Sequence, residues 1–306
     1  MAEVVAVEIG GIRIRARSLD GSLALGLTEV MSRFSCSPDR PDVSLTVRRG
    51  PSTPVSGRLL FRSGGLWDLW EADGDLLFRF VSPALGPDPY KVVRFDRELR
   101  HGRLEVNEGV SGYGPEAGPL DPFEYPLDEL VCTHWLARGR GIELHACGIV
   151  DGAGHGRLFL GHSGAGKSTA AGLWDGPGTV LSDDRIIVRL DEGELWMYGT
   201  PWHGDARLSA AGRAPLRHVY FLEKAESVAL VPLPAAVAAA RLYACSFVPQ
   251  YDPRAVSASL AFIEGIVERV GCQSLRFDRS SALTAGGLDS AEHRGTHIDL
   301  HSGGQS

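Results

Sequence analysis

Gly161-His162-Ser163-Gly164-Ala165-Gly166-Lys167-Ser168 stands between an apolar run, Leu158–Leu160, and a helix-compatible run, Ser168–Trp174. The octapeptide completes the pattern GxxxxGK[ST], which this chain's own Gly, Lys and Ser/Thr frequencies would generate roughly 0.005 times by chance. Strand, glycine loop and helix in that order set the fold expectation: an α/β domain with a phosphate-binding loop at a strand end. Physics explains the residue types. Glycines let backbone N–H groups approach phosphate oxygens with no Cβ in the way. The first turn of the following helix adds unpaired N–H groups and the positive end of the helix dipole. A lysine brings a compact point charge to the β- and γ-phosphates, and a serine hydroxyl offers Mg²⁺ a ligand. The chain has only three lysines, Lys91, Lys167 and Lys224, and one of them occupies the motif position.

Downstream, Leu181-Ser182-Asp183-Asp184 closes a second short apolar run. A phosphate loop of this kind needs a carboxylate at a neighbouring strand end to hold Mg²⁺. Two adjacent carboxylates allow a division of labour, one serving the metal and the other accepting the proton of an attacking hydroxyl. Held close together, they push one pKa upward. Further on, Tyr198-Gly199-Thr200-Pro201-Trp202-His203-Gly204-Asp205 reads as a glycine-bounded loop at a strand end. Trp202 could stack on an acceptor or a base there, and His203 and Asp205 could hydrogen-bond it; a buried structural turn is the plain alternative. Arg207 and Arg213 follow as candidate guanidinium contacts for phosphoryl oxygens.

Outward from this centre, apolar runs at Leu144–Val150, Val180–Leu181, Ile186–Leu190, Leu195–Tyr198, Val219–Leu222 and Leu275–Phe277 read as strands. Asp252 followed by Pro253 is a helix start, opening a helix to about Val270. Leu127 to Arg138 reads as another helix. The first third is β-rich. Val5, Val7 and Ile9 alternate, Gly10-Gly11 make a turn, and Ile12, Ile14 and Ala16 alternate again. Asp20 to Phe34 has helical spacing. Runs at Val43–Val47, Leu59–Phe61, Leu66–Trp70, Leu76–Val81 and Val92–Phe95 suggest a small, mostly antiparallel sheet. The Gly- and Pro-rich segment 108–124 is the expected domain junction. After Ala285 the chain is polar, and His293, His297 and His301 read as part of a solvated tail.

GHSGAGKST at 161–169 followed by LSDDRIIV at 181–188 resembles the C-terminal catalytic domain of HPr serine kinase/phosphorylase. That domain is itself similar to the nucleotide-binding core of phosphoenolpyruvate carboxykinase. Leu144-His145-Ala146-Cys147-Gly148 fits as well, the family carrying a His ahead of the loop strand. The likeness runs from about Asp128 to Arg189 and weakens toward Phe277. The resemblance implies that Gly161, Ser163, Gly164, Gly166, Lys167, Ser168 and Thr169 bind the phosphates of ATP. It implies that Ser168 and Asp184 hold Mg²⁺, that Asp183 is the catalytic base, and that His145 lines the active site; the two aspartates could exchange roles. The first 120 residues do not resemble the family's substrate-sensing domain. The segment at 198–205 looks instead like HPr-kinase-related proteins found beside peptide-modification genes and like lasso-peptide kinases. Both departures point away from HPr as the acceptor and from phosphorylase activity.

The expected fold class is therefore mixed α/β. A phosphoenolpyruvate carboxykinase-like P-loop domain (125–284) places helices on a mixed sheet. A smaller β-rich α+β domain (1–120) precedes it, and a disordered tail (285–306) follows. The expected function is an ATP- and Mg²⁺-dependent kinase acting on a hydroxyl, a serine of a peptide or protein, with Trp202 and His203 helping to fix the acceptor. The alternatives are a small-molecule hydroxyl kinase, for example on free serine, and a non-catalytic ATP-binding module that presents a peptide. The 306 residues carry 31 basic and 38 acidic side chains, a formal charge of −7. That balance lacks the basic footprint of a nucleic-acid binder. The longest apolar stretch, Val228–Ala240, contains two prolines and is too short to span a bilayer. No apolar leader opens the chain, and five scattered cysteines read as reduced, buried thiols, so a cytoplasmic setting is expected. A homo-oligomer is left open.

Overall fold

The alternating run at the start of the chain forms the expected hairpin, β1 (Val4–Ile9) and β2 (Ile12–Ser18), with Gly10 and Gly11 at positive φ in the turn. The computed structural model describes residues 3–19, 21, 23–51, 54–114, 116, 118–161, 164, 166–174, 177–226, 228–277 and 288, without the Ser168 side chain. The histidines at 293, 297 and 301 lie outside these, as does the rest of the tail apart from Leu288, which is buried. The fold is mixed α/β, with two mixed sheets and few helices. The chain divides into two compact units, Met1–Trp135 and Leu136–Ser306.

In the first unit, α1 (Glu29–Ser32), β3 (Val43–Gly50), β4 (Arg58–Arg62), β5 (Trp67–Ala72), β6 (Asp75–Ser82), β7 (Gly86–Phe95), β8 (His101–Asn107) and α2 (Leu127–Leu136) follow the hairpin. The sheet has the order β1-β2-β3-β8-β7-β6-β5-β4. Its pairs are antiparallel except β2–β3 and β3–β8, which are parallel. It has one strand more than expected, β8, in which Leu104 and Val106 alternate with polar Arg103, Glu105 and Asn107 and are buried. The helix expected over Asp20–Phe34 shrinks to α1. Leu120 pairs with the chain at 24–26, accepting from Gly26 N–H and donating to Ala24 carbonyl at 2.9 Å each, which leaves no helical bonding for that segment. Leu23 and Leu25 are buried with period two, and Thr28 Oγ1 caps the one short turn by accepting from Met31 N–H.

The second unit contains β9 (Ile142–Asp151), β10 (Gly156–Leu160), α3 (Lys167–Leu173), β11 (Gly178–Ser182), β12 (Arg185–Asp191), β13 (Glu194–Tyr198), β14 (Arg213–Lys224), β15 (Ala229–Pro232), α4 (Ala235–Ala244), β16 (Ser246–Phe247), α5 (Pro253–Val270) and β17 (Gln273–Phe277). The stretch Val228–Ala240 resolves into β15 and α4. The pairing runs β10-β9-β12-β13-β14 and returns to its start through a parallel β10–β14 ladder. Strand alternation divides the core between the two faces. Leu158, Leu160, Val219 and Phe221 pack with Ala238 and Leu242 of α4 and Ile263 and Ile266 of α5. Phe159, Tyr220 and Leu222 pack on the other face with Ala170 and Ala171 of α3. Helices on both faces of this sheet match the sequence expectation. Among the described residues no helix is long and apolar enough to cross a membrane. None of the five cysteines forms a disulfide.

Candidate functional site

The Asp183-Asp184 pair interrupts what is otherwise one long strand. β11 and β12 both run antiparallel to β9, with Ser182 opposite Gly148 and Arg185 opposite His145. Between them, the Asp184 carbonyl still accepts from Ala146 N–H at 3.0 Å, while Asp183 donates its own N–H to the Leu208 carbonyl at 3.3 Å. The two side chains have different surroundings. Asp183 is 1% exposed, and its oxygens accept from the backbone N–H groups of Gly204 (2.9 Å), Ala206 (3.0 Å) and Leu208 (3.2 Å). Ser182 Oγ donates to the Trp202 carbonyl at 2.9 Å, and Thr200 Oγ1 donates to the Arg185 carbonyl at 2.7 Å. The segment Thr200–Leu208 is thus tied to the aspartate turn by side chains of both partners. Trp202 is buried on this loop and offers no open ring face for stacking, whereas His203, Asp205 and Arg207 are exposed.

Asp184 faces a cluster of cationic and aromatic groups. Its Oδ1 is 2.9 Å from Nε2 of His145, and its Oδ2 accepts from the Arg185 guanidinium. Burial raises the Asp184 carboxyl pKa, but the hydrogen bond to His145 and the charges of Arg185 and Lys167 outweigh it and hold the group below the usual carboxylate range. Lys167 opens α3, directly after Gly166 at positive φ, and donates Nζ to the Gly161 carbonyl at 2.9 Å. Burial lowers its ammonium pKa against the attraction of Asp184, and Arg185 pushes the same way. The glycine loop and the second aspartate, separate in sequence, therefore interact electrostatically.

Cysteines close this side of the site. The Cys245 carbonyl accepts from His145 N–H at 2.7 Å, and burial raises its thiol even though Lys167 and Gly161 N–H act against it. Cys147 is buried below, its thiol pushed up to about 12 by desolvation. Neither is set up as a thiolate nucleophile.

Of the residues expected at the site, Lys167, Gly161, Asp184 and His145 come together. Gly164 and Gly166 keep loop conformations with positive φ, and Thr169 sits in the first turn of α3. Ser163 and the Ser168 side chain lie outside the described residues. Arg213 is committed elsewhere, to Asp191 (3.1 Å), the Tyr198 hydroxyl (3.3 Å) and the face of Trp196. Arg185 and Phe247 escaped sequence reasoning. For Arg185 a signal existed in its place directly after the aspartate pair, although only the ladder sets it opposite His145. For Phe247, more than a hundred residues away from His145 in sequence, there was none. Among the described residues no group of three or more His, Cys, Asp or Glu side chains gathers around a common metal position. Mg²⁺ does not require one, since it commonly takes one or two carboxylates together with phosphates and water. Asp184, partly exposed beside Lys167, fits that limited role. Neither a scan against protein-family models nor a search of curated proteins returns a match to this sequence.

Proposed function

We propose that the second unit is a phosphoenolpyruvate carboxykinase-like P-loop domain that transfers the γ-phosphate of ATP to a hydroxyl, a serine of a peptide or protein. One observation carries the reading: Lys167 of the glycine loop and Asp184 of the aspartate turn lie close enough for each to shift the other's titration, with His145 Nε2 at 2.9 Å from the carboxylate. Lys167 neutralises the phosphates, and the loop glycines Gly161, Gly164 and Gly166 let the backbone approach them. Asp184, with Ser168, would hold Mg²⁺, which when bound spreads the charge that develops on the transferred group. The base role first given to Asp183 passes to His145, because backbone amides engage both Asp183 oxygens. With Nε2 turned to Asp184, Nδ1 of His145 is the basic nitrogen left for the hydroxyl proton. His203 and Asp205, exposed on the loop that Asp183 anchors, supply the acceptor side. Positioning and charge neutralisation account for most of the rate gain in such transfers.

The test is incubation of the protein with γ-labelled ATP, Mg²⁺ and cell extract, with the Asp184→Asn variant as control. Label in macromolecular fractions, absent with the variant, supports the reading. Label in small molecules favours the free-hydroxyl kinase. ATP binding with label in neither fraction favours the peptide-presenting module.

A further inference from the structure

Arg185 heads β12 and is paired in the ladder with His145. Its guanidinium lies 4.3 Å from the ring centre of Phe247, and the same ring stands 6.5 Å from the His145 ring. Nε is 3.7 Å from a carboxylate oxygen of Glu143, which is fully buried on β9, and the guanidinium donates to Asp184 in front. Ring and buried carboxylate fix the plane of the group, while the side chain keeps 19% of its surface open. Gly161, which heads the glycine loop, gives its N–H to the Cys245 side chain, and the Cys245 carbonyl accepts from His145 N–H at 2.7 Å, so the loop borders the same ladder pair. A planar, five-donor guanidinium suits phosphoryl oxygens in a way that an ammonium does not. The two arginines singled out from the sequence are less suited. Arg213 is bound by Asp191 and Tyr198, neither of them in the glycine loop or the aspartate turn, and Arg207 is exposed on the loop.

We infer that Arg185 contacts the γ-phosphoryl group of the bound triphosphate, so that this side chain, together with Lys167, makes the site prefer a nucleoside triphosphate over a diphosphate. The inference rests on the reading of the second unit as an ATP site. It does not depend on phosphate transfer.

The experiment is calorimetric titration of the full chain with ATP and with ADP, each with Mg²⁺, for wild type, Arg185→Gln and Arg185→Lys. Wild type is expected to prefer ATP. Arg185→Gln should weaken ATP binding about tenfold or more and leave ADP within about twofold, and Arg185→Lys should recover part of the loss. Equal weakening of both nucleotides, no weakening of either, or a wild type without preference overturns the assignment. Should Arg185→Gln unfold the chain, Phe247→Leu keeps the charge but removes the ring that holds it, and must then erode the ATP preference selectively. A wild type that prefers ATP yet phosphorylates nothing sinks the kinase reading and leaves this one standing. A wild type that binds neither nucleotide sinks both.

Discussion

Asp183 and Asp184 are neighbours in sequence with different partners: the first accepts three backbone N–H groups of the 204–208 loop, and the second meets His145 at 2.9 Å and the Arg185 guanidinium. One turn thus joins the 204–208 loop to the His145–Arg185 pair, and its two carboxylates should fail differently when altered.

Asp183→Asn replaces an acceptor by a donor facing amide protons. It should cost about 1–3 kcal/mol for the unsatisfied groups. Hydrogen exchange at Gly204, Ala206 and Leu208 should accelerate. Asp184→Asn should leave those amides protected and instead weaken Mg²⁺-dependent ATP binding about tenfold. Exchange mass spectrometry on both variants checks the division; unchanged protection in Asp183→Asn removes the anchoring role.

Lys167→Ala deletes a charge-assisted contact to phosphate and should cut turnover at least about tenfold. Lys167 is only 7% exposed, so circular dichroism and thermal unfolding must accompany the rate. A folded variant with wild-type turnover contradicts the P-loop reading.

Gly204→Ala tests how tightly the loop seats on the turn. A Cβ there would meet Asp183 Oδ2 at 2.9 Å and Asp184 Cβ at 3.2 Å, and three hydrogen bonds restrain that oxygen's side chain. The expected cost is about 1–3 kcal/mol of overpacking, together with slower transfer as the loop shifts away from Asp184. Melting curves and transfer rates measured together decide it. An alanine variant identical to wild type in both would show that the loop is free to move.

Acid should weaken the second unit through Asp151. Its side chain is buried with Arg157 at 2.9 Å, both 1% exposed. Burial raises the carboxyl, but the N–H groups of His155 and Ala153 and the Arg157 guanidinium hold it below its ordinary value. A depressed folded pKa gives stability that is present above the unfolded value of about 3.9 and is lost as pH falls through the lower folded value. Asp151→Asn should therefore cost about 3–5 kcal/mol at pH 7, because it leaves Arg157 buried without its partner. The gap from wild type should narrow below about pH 4. Urea unfolding across pH 3–7 measures it, and a constant gap would contradict the assignment.

Sequence by itself determined the elements whose signals are local. The loop at 161–168, the strand before it, the helix from Pro253 to Val270 and the first hairpin follow from glycine spacing, apolar periodicity and a Pro-after-Asp start. It also brought Lys167, Asp184 and His145 forward as candidates, since each sits in or beside a recognisable motif. Tertiary structure decided what depends on pairing between distant segments. The extended chain at 23–26 escaped helix formation because Leu120 claimed its backbone, and the two parallel ladders of the first sheet depend on crossover connections that no local pattern encodes. The same holds for the twin aspartates. Which carboxylate meets the loop amides and which meets His145 is set by strand register and by a segment more than twenty residues downstream, and so is the presence of Arg185 and Phe247 beside His145. Periodicity reports which residues are buried together along one element. The direction of a charged group is fixed only by hydrogen-bond partners that folding brings from elsewhere in the chain.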